Sequence, residues 1–179
     1  MSNQLFKEFN TYLKLEKSLS ENSIEAYLTD VDKLMQFCTS VKPPKKIIDL
    51  QHRDLVQFIR WIADLGMSAR SQARITSGIK AFYQFLLLEE YVENNVSLLL
   101  ETPKIGRKLP DTLSIQEIDV LQQAIDLSKP QGQRNKAIIE CLYSCGLRVS
   151  ELTELKISKL YFEEGFIRIT GKGSKERLV

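Results

Sequence analysis

Apolar residues recur every three or four positions through the first hundred residues, and the pattern predicts four helices. Leu5, Phe6, Phe9, Tyr12 and Leu13 share one face of residues 3–17. Ser20 stands as the N-cap of a second helix carrying Ile24, Tyr27, Leu28, Val31, Leu34 and Met35. Pro43 and Pro44 break the pattern, because paired prolines cannot continue a helix. A third helix, residues 51–65, repeats Leu55, Phe58, Ile59 and Ile62 and stops at Gly66. The fourth starts at the capping Ser68 and carries Ile75, Ile79, Phe82, Tyr83 and Leu86. Four such faces bury one another as a compact bundle, and the aromatics on them are read as core.

The pattern changes after residue 100. Between Thr102 and Pro110 lie two prolines, Gly106 and the cations Lys104, Arg107 and Lys108, the composition of a linker. The expected division is a helical domain over 1–100, a basic linker over 101–112 and a second domain over 113–179. That second domain opens on Ser114-Ile115-Gln116-Glu117, a capping box ahead of Ile118, Leu121 and Ile125. A helix over 131–145 is expected to bury Ala137, Ile138, Cys141, Leu142 and Cys145. Beyond Gly146 a short helical face returns at Val149, Leu152 and Leu155. Strands are predicted over 159–162 and 166–170, around Glu163-Glu164-Gly165, and over 175–179, with 171–174 as the turn. The fold class is a mainly α four-helix domain followed by an α+β domain with a small antiparallel sheet.

Composition narrows the class. Hydrophobic residues make up 43% and charged residues 27%, the balance of a soluble globular chain. No run approaches the ~18 apolar residues a membrane span needs. The first residues, Met1-Ser2-Asn3-Gln4, lack a signal-peptide pattern. Cys38, Cys141 and Cys145 are odd in number and helical in position, which suits reduced core thiols and a cytoplasmic protein. His52 is the sole histidine and no Cys-x-x-Cys pair exists, so no metal or cofactor is expected. The net charge of +2 is spread evenly: 12 Lys+Arg against 12 Asp+Glu in residues 1–100, and 13 against 11 in 101–179. A polyanionic partner would have to be met by local patches rather than by a global field.

Two patches qualify. On the fourth helix, Arg70, Arg74 and Ser77 line up at spacings of four and three, flanked by Ser71 and Lys80; by itself this is also what a solvated face looks like. Near the other end, Gly146 turns the chain sharply just before Arg148, with Glu151 one helical turn on. Gly171-Lys172-Gly173-Ser174 then sets a lysine between glycines at the tip of a predicted hairpin. An arginine fork and a mobile lysine suit a phosphate-handling site. Taken alone, the same residues also read as an i,i+3 ion pair and an ordinary turn.

The whole string decides between these. Cys145-Gly146-Leu147-Arg148-Val149-Ser150-Glu151-Leu152 with Gly171-Lys172-Gly173-Ser174-Lys175-Glu176-Arg177 resembles the first half of the active site of the tyrosine recombinases, the XerC/XerD class in particular. Glu21-Asn22-Ser23 with Ala26-Tyr27 and Asp30 resembles the family's opening helices. Ser71-Gln72-Ala73-Arg74 with Phe82-Tyr83-Gln84-Phe85-Leu86 resembles its last DNA-binding helix, and Pro103-Lys104 through Leu109-Pro110 its interdomain linker.

The resemblance implies a SAM-like, core-binding DNA-binding domain followed by an incomplete catalytic domain. In that family a tyrosine attacks the scissile phosphate and leaves a 3′-phosphotyrosyl bond, without a metal. Arg148 would stabilise the added negative charge, Lys172 would protonate the leaving 5′ oxygen, and Glu151 would orient the arginine's surroundings. Arg70, Arg74, Lys80, Lys104, Arg107, Lys108, Lys175 and Arg177 would contact DNA. The implied partners are a double-stranded recombination site, further recombinase subunits in a tetrameric synapse and a DNA translocase, with no membrane. The implied biology is chromosome or plasmid dimer resolution, hence chromosome segregation and the cell cycle; the alternatives are an integrase or transposase of a mobile element, or a short non-catalytic DNA-binding accessory protein. The family's His-x-x-Arg element and nucleophilic tyrosine have no counterpart here: Tyr12, Tyr27, Tyr83, Tyr91, Tyr143 and Tyr161 all lie outside that context. The chain is therefore expected to be the N-terminal part of a longer enzyme, inactive in strand cleavage by itself.

Overall fold

The computed structural model describes residues 2–106, 109–171 and 175–179. Arg107, Lys108 and Lys172, singled out above, lie outside the described residues. The chain forms two compact units, Met1–Lys108 and Leu109–Val179.

The first unit is built from α1 (Ser2–Leu15), α2 (Glu21–Ser40), α3 (His52–Asp64) and α4 (Ala69–Leu88). Ser68 caps α4, its hydroxyl accepting from the Ser71 N–H at 3.2 Å. Ser20 occupies the cap position of α2, but its hydroxyl pairs with that of Ser23 at 3.0 Å rather than with a backbone N–H. Gly66, at φ +79°, makes the left-handed turn after α3.

The apolar stripes meet in one core. Phe9 packs edge-on to Phe82 at 5.0 Å between centroids, with Phe85 at 5.3 Å, and all three are buried. Burial of each such ring is worth ~1.5–3 kcal/mol. Tyr83, also buried, donates its hydroxyl to the Ile47 carbonyl at 2.8 Å, which satisfies the one polar atom it brings inside. Helices α2 and α4 pack tightly at Gly78, where a Cβ would sit 2.7 Å from Asp30 Oδ2.

The second unit holds α5 (Ile115–Gln123), α6 (Gly132–Ser144) and α7 (Val149–Thr153), then β1 (Leu160–Tyr161), β2 (Phe166–Thr170) and β3 (Glu176–Leu178). The capping box forms: the Ser114 hydroxyl accepts from Glu117 N–H at 3.3 Å, and Glu117 Oε2 accepts from Ser114 N–H at 2.7 Å. The strands make an antiparallel sheet in the order β1-β2-β3. Gly165, at φ +72°, turns β1 into β2, and the paired Tyr161 and Phe166 rings stack at 4.5 Å. Ile169 lies opposite Arg177, which puts both on one face of the sheet.

One expectation fails here. Ala137 and Ile138 on α6 are exposed, and Cys141, Leu142 and Cys145 are only half-buried. Leu121 on α5 is exposed as well. A 3.6-residue period marks a face as apolar; burial also needs a surface to cover it, and the described residues cover this stripe of α6 only in part.

Candidate active site

The site is built at the corner between α6 and α7. The last turn of α6 closes with the Cys145 N–H on the Cys141 carbonyl at 3.2 Å, and Gly146 follows at φ +58°, a conformation that favours glycine. Leu147 is buried and anchors the corner, so Arg148 starts α7 with extended backbone angles. Its side chain is 69% exposed, whereas that of Glu151 is 4% exposed.

Glu151 accepts four hydrogen bonds. Two come from Arg148: its backbone N–H to Oε2 at 2.8 Å and Nη1 to Oε1 at 2.7 Å. Two come from Arg177 on β3: Nη1 to Oε1 at 2.8 Å and Nη2 to Oε2 at 2.9 Å. Arg177 Nη2 also donates to the Gly146 carbonyl at 3.3 Å, tying β3 to the corner. The Arg177 guanidinium, then the Arg148 backbone N–H, hold the Glu151 carboxyl down at about 2. Gly171 closes against the same carboxylate, since a Cβ there would lie 3.3 Å from Glu151 Oε1. Glu151 is therefore ionised, buried and doubly paired, while among the described residues the outer N–H groups of Arg148 have no partner. An anion approaching the corner meets an oriented guanidinium whose position is fixed from behind.

The structure brings Arg148 and Glu151 together as the sequence predicts. Arg177, expected among the phosphate contacts, has both terminal nitrogens on Glu151, where the Ile169–Arg177 register aims it at α7. Lys175 is exposed beside the Gly171 N–H to Lys175 carbonyl bond of 2.7 Å. Sequence reasoning also passed over a cleft beside Glu151, between α7 and β2, lined by Lys156, Lys159 and Arg168. The spread of those cations, 156 to 168, gives no local motif.

The other candidate face lies on α4 in the first unit. Arg70, Arg74 and Ser77 are exposed and Lys80 is half-buried, in the expected row. Arg74 is not wholly available: Nη1 donates to Asp30 Oδ2 at 2.7 Å and to the Ala26 carbonyl at 3.4 Å. Asp30 is 1% exposed and its Oδ1 has no partner among the described residues; burial raises its pKa against the pull of Arg74. The signal for this pair was one acid, Asp30, among the apolar positions Tyr27, Val31 and Leu34 of α2. Lys104 is exposed, and none of the described residues forms an ion pair with it.

Comparison with known proteins gives these two faces a context. Residues 6–90 match the family described as "Phage integrase, N-terminal SAM-like domain", and residues 111–179 match the "Phage integrase family". The tyrosine recombinase XerD of Staphylococcus epidermidis is 38% identical over 178 residues, which is 99% of this chain. The chain belongs to the tyrosine recombinase (phage integrase) family. It spans about 60% of the length of that XerD relative. Among solved structures, a lambda integrase tetramer bound to a Holliday junction aligns with TM-score 0.76 and 16% identity, over 99% of this chain and 49% of that one. The XerH recombinase bound to its difH substrate aligns with TM-score 0.67 and 19% identity, over 97% and 52%. These likenesses establish the recombinase fold: a SAM-like helical domain, then helices carrying a small antiparallel sheet.

Proposed function

We propose that these residues belong to a site-specific DNA recombinase that cuts and rejoins strands through a 3′-phosphotyrosyl intermediate. The observation that carries this is the exposed Arg148 fork, held at the Gly146 corner by a buried, ionised Glu151. In the proposed reaction a tyrosine oxygen bonds to phosphorus and the 5′ oxygen leaves. Arg148 stabilises the charge added at the phosphate, and Lys172 gives its proton to the leaving oxygen. No tyrosine of residues 1–179 lies in the family's nucleophile context, so the reaction is proposed for the complete protein. Arg70, Lys80, Lys104, Arg107, Lys108 and Lys175 supply cations for a double-stranded site, and Arg74 reaches it from its anchor on Asp30.

Chromosome or plasmid dimer resolution in the cytoplasm is the proposed setting, with integration of a mobile element as the alternative; it rests on the resemblance to the XerC/XerD class, whose name the matched relatives carry. The lambda integrase solved as a tetramer on a Holliday junction supports assembly into a tetrameric synapse. A DNA translocase rests on the family resemblance alone.

The test is the complete protein incubated with a nicked duplex recombination site, followed by denaturing electrophoresis. A covalent adduct is expected without magnesium. Arg148→Ala and Lys172→Ala should each lower its rate by about 100- to 1,000-fold while leaving duplex binding intact. Arg70→Ala should instead weaken binding and reduce its salt slope by roughly 0.9. A magnesium requirement, or adduct formation at the wild-type rate in either catalytic variant, would overturn the reading.

A further inference from the structure

We infer that Arg177 is a positioning residue: it neutralises Glu151 so that the charge of Arg148 stays available to a phosphate group. The inference rests on the reading of Arg148 as a phosphate ligand.

The geometry separates two jobs. Arg148 gives Glu151 a single side-chain hydrogen bond, from Nη1 at 2.7 Å, and stays 69% exposed. Arg177 covers both carboxylate oxygens, at 2.8 and 2.9 Å, and is 37% exposed. A carboxylate so close to Arg148 is a competitor for any incoming phosphate. With one cation against one carboxylate, the pair is closed and carries no net charge. With two cations the cluster carries a net positive charge, and Glu151 keeps a full bidentate partner when Arg148 turns toward a ligand. Without that partner, releasing Arg148 would leave a buried carboxylate unpaired beside a second anion, which is strongly unfavourable. The bond from Arg177 Nη2 to the Gly146 carbonyl, 3.3 Å, couples the same residue to the turn that aims Arg148. Arg177 thus acts through Glu151 rather than on the ligand.

The pairing also accounts for an acid beside a phosphate ligand. Glu151 fixes the Arg148 backbone through its N–H at 2.8 Å, which sets the corner geometry. That hold needs an acceptor oxygen at position 151, which an amide would also supply; the ionised carboxylate adds a negative charge, and beside a phosphate that charge calls for a second cation. Ile169, buried opposite Arg177, fixes the register that delivers it.

The experiment follows the Arg148 Nε–Hε resonance of the 179-residue chain during titration with inorganic phosphate. In the wild type, phosphate should shift this resonance and leave that of Arg177 nearly still. Arg177→Ala should weaken phosphate binding at Arg148 about tenfold, the effect of one nearby screened charge. The double variant Glu151→Gln with Arg177→Ala should recover most of that loss, because no carboxylate then needs neutralising. A residue that only stabilises the fold would show no such recovery. Should Arg177→Ala not fold, Arg177→Lys and Arg177→Gln make the same comparison with the charge kept and removed. Silence of the wild-type Arg148 resonance would sink the phosphate-ligand reading itself. A wild-type response with unchanged affinity in Arg177→Ala, or no recovery in the double variant, would overturn the role of Arg177 and leave Arg148 as the ligand.

Discussion

Glu151 shows how one buried carboxylate can organise two arginines from different elements. Its folded carboxyl titrates at about 2, below the ~4.3 of an unfolded glutamate. The unfolded chain therefore takes up a proton more readily than the folded one. The stabilisation from Glu151 is complete above that unfolded value and is lost as the pH falls from about 5 toward 2. Thermal unfolding followed across that range should show the melting point of the wild type falling, while Glu151→Gln, less stable at neutral pH, loses less on acidification. Equal acid sensitivity in both proteins would mean that Glu151 is not held by its two partners in solution.

Between elements, the contact of α2 with α4 is set by a glycine and a charge pair. Gly78 has no side chain, and Asp30 fills the space: a Cβ at position 78 would lie 2.7 Å from its Oδ2 and 3.0 Å from its Cβ. Alanine is the better helix former by ~1 kcal/mol, but overpacking costs ~1–3 kcal/mol and here would also displace the partner of Arg74. Gly78→Ala should therefore destabilise the protein in urea by about 1 kcal/mol. Made on top of Asp30→Ala, the same substitution should be neutral or stabilising. If Gly78→Ala stabilises the protein by itself, the helices are not in close contact there. The same pair bears on the proposed DNA face, since it decides where the Arg74 guanidinium points.

At the scale of the molecule, the two units differ in how much they bury. The first has a continuous core running from Leu5 through Phe9, Leu34, Phe58 and Ile79 to Leu86. In the second, the buried apolar side chains among the described residues are Ile118, Leu147 and Ile169, and Ile138, Val149, Ile157 and Phe162 are exposed. Local opening is easier where few apolar contacts hold an element down. Amide hydrogens of α4 should exchange about a hundredfold more slowly than those of α6 in the 179-residue chain. Equal protection in the two helices, read by mass spectrometry or NMR, would contradict this division.

The local features were legible in the sequence because they depend on neighbours. Apolar spacing placed α1 to α4, Ser68 and Ser114 marked helix starts, and Gly146 announced the corner that presents Arg148. The Arg148–Glu151 contact spans three residues, so helical geometry alone brings its members together. The resemblance of those motifs to the tyrosine recombinases carried the family. Tertiary structure decided the rest. Arg177 reaches Glu151 across 26 positions through strand register, and Arg74 reaches Asp30 across 44 through the packing of two helices. No periodicity encodes such distances, and an arginine destined for a carboxylate has the same sequence signature as one destined for a phosphate. The stripe on α6 makes the same point for apolar residues: sequence fixes which face is hydrophobic, and only a neighbouring surface decides whether it is buried.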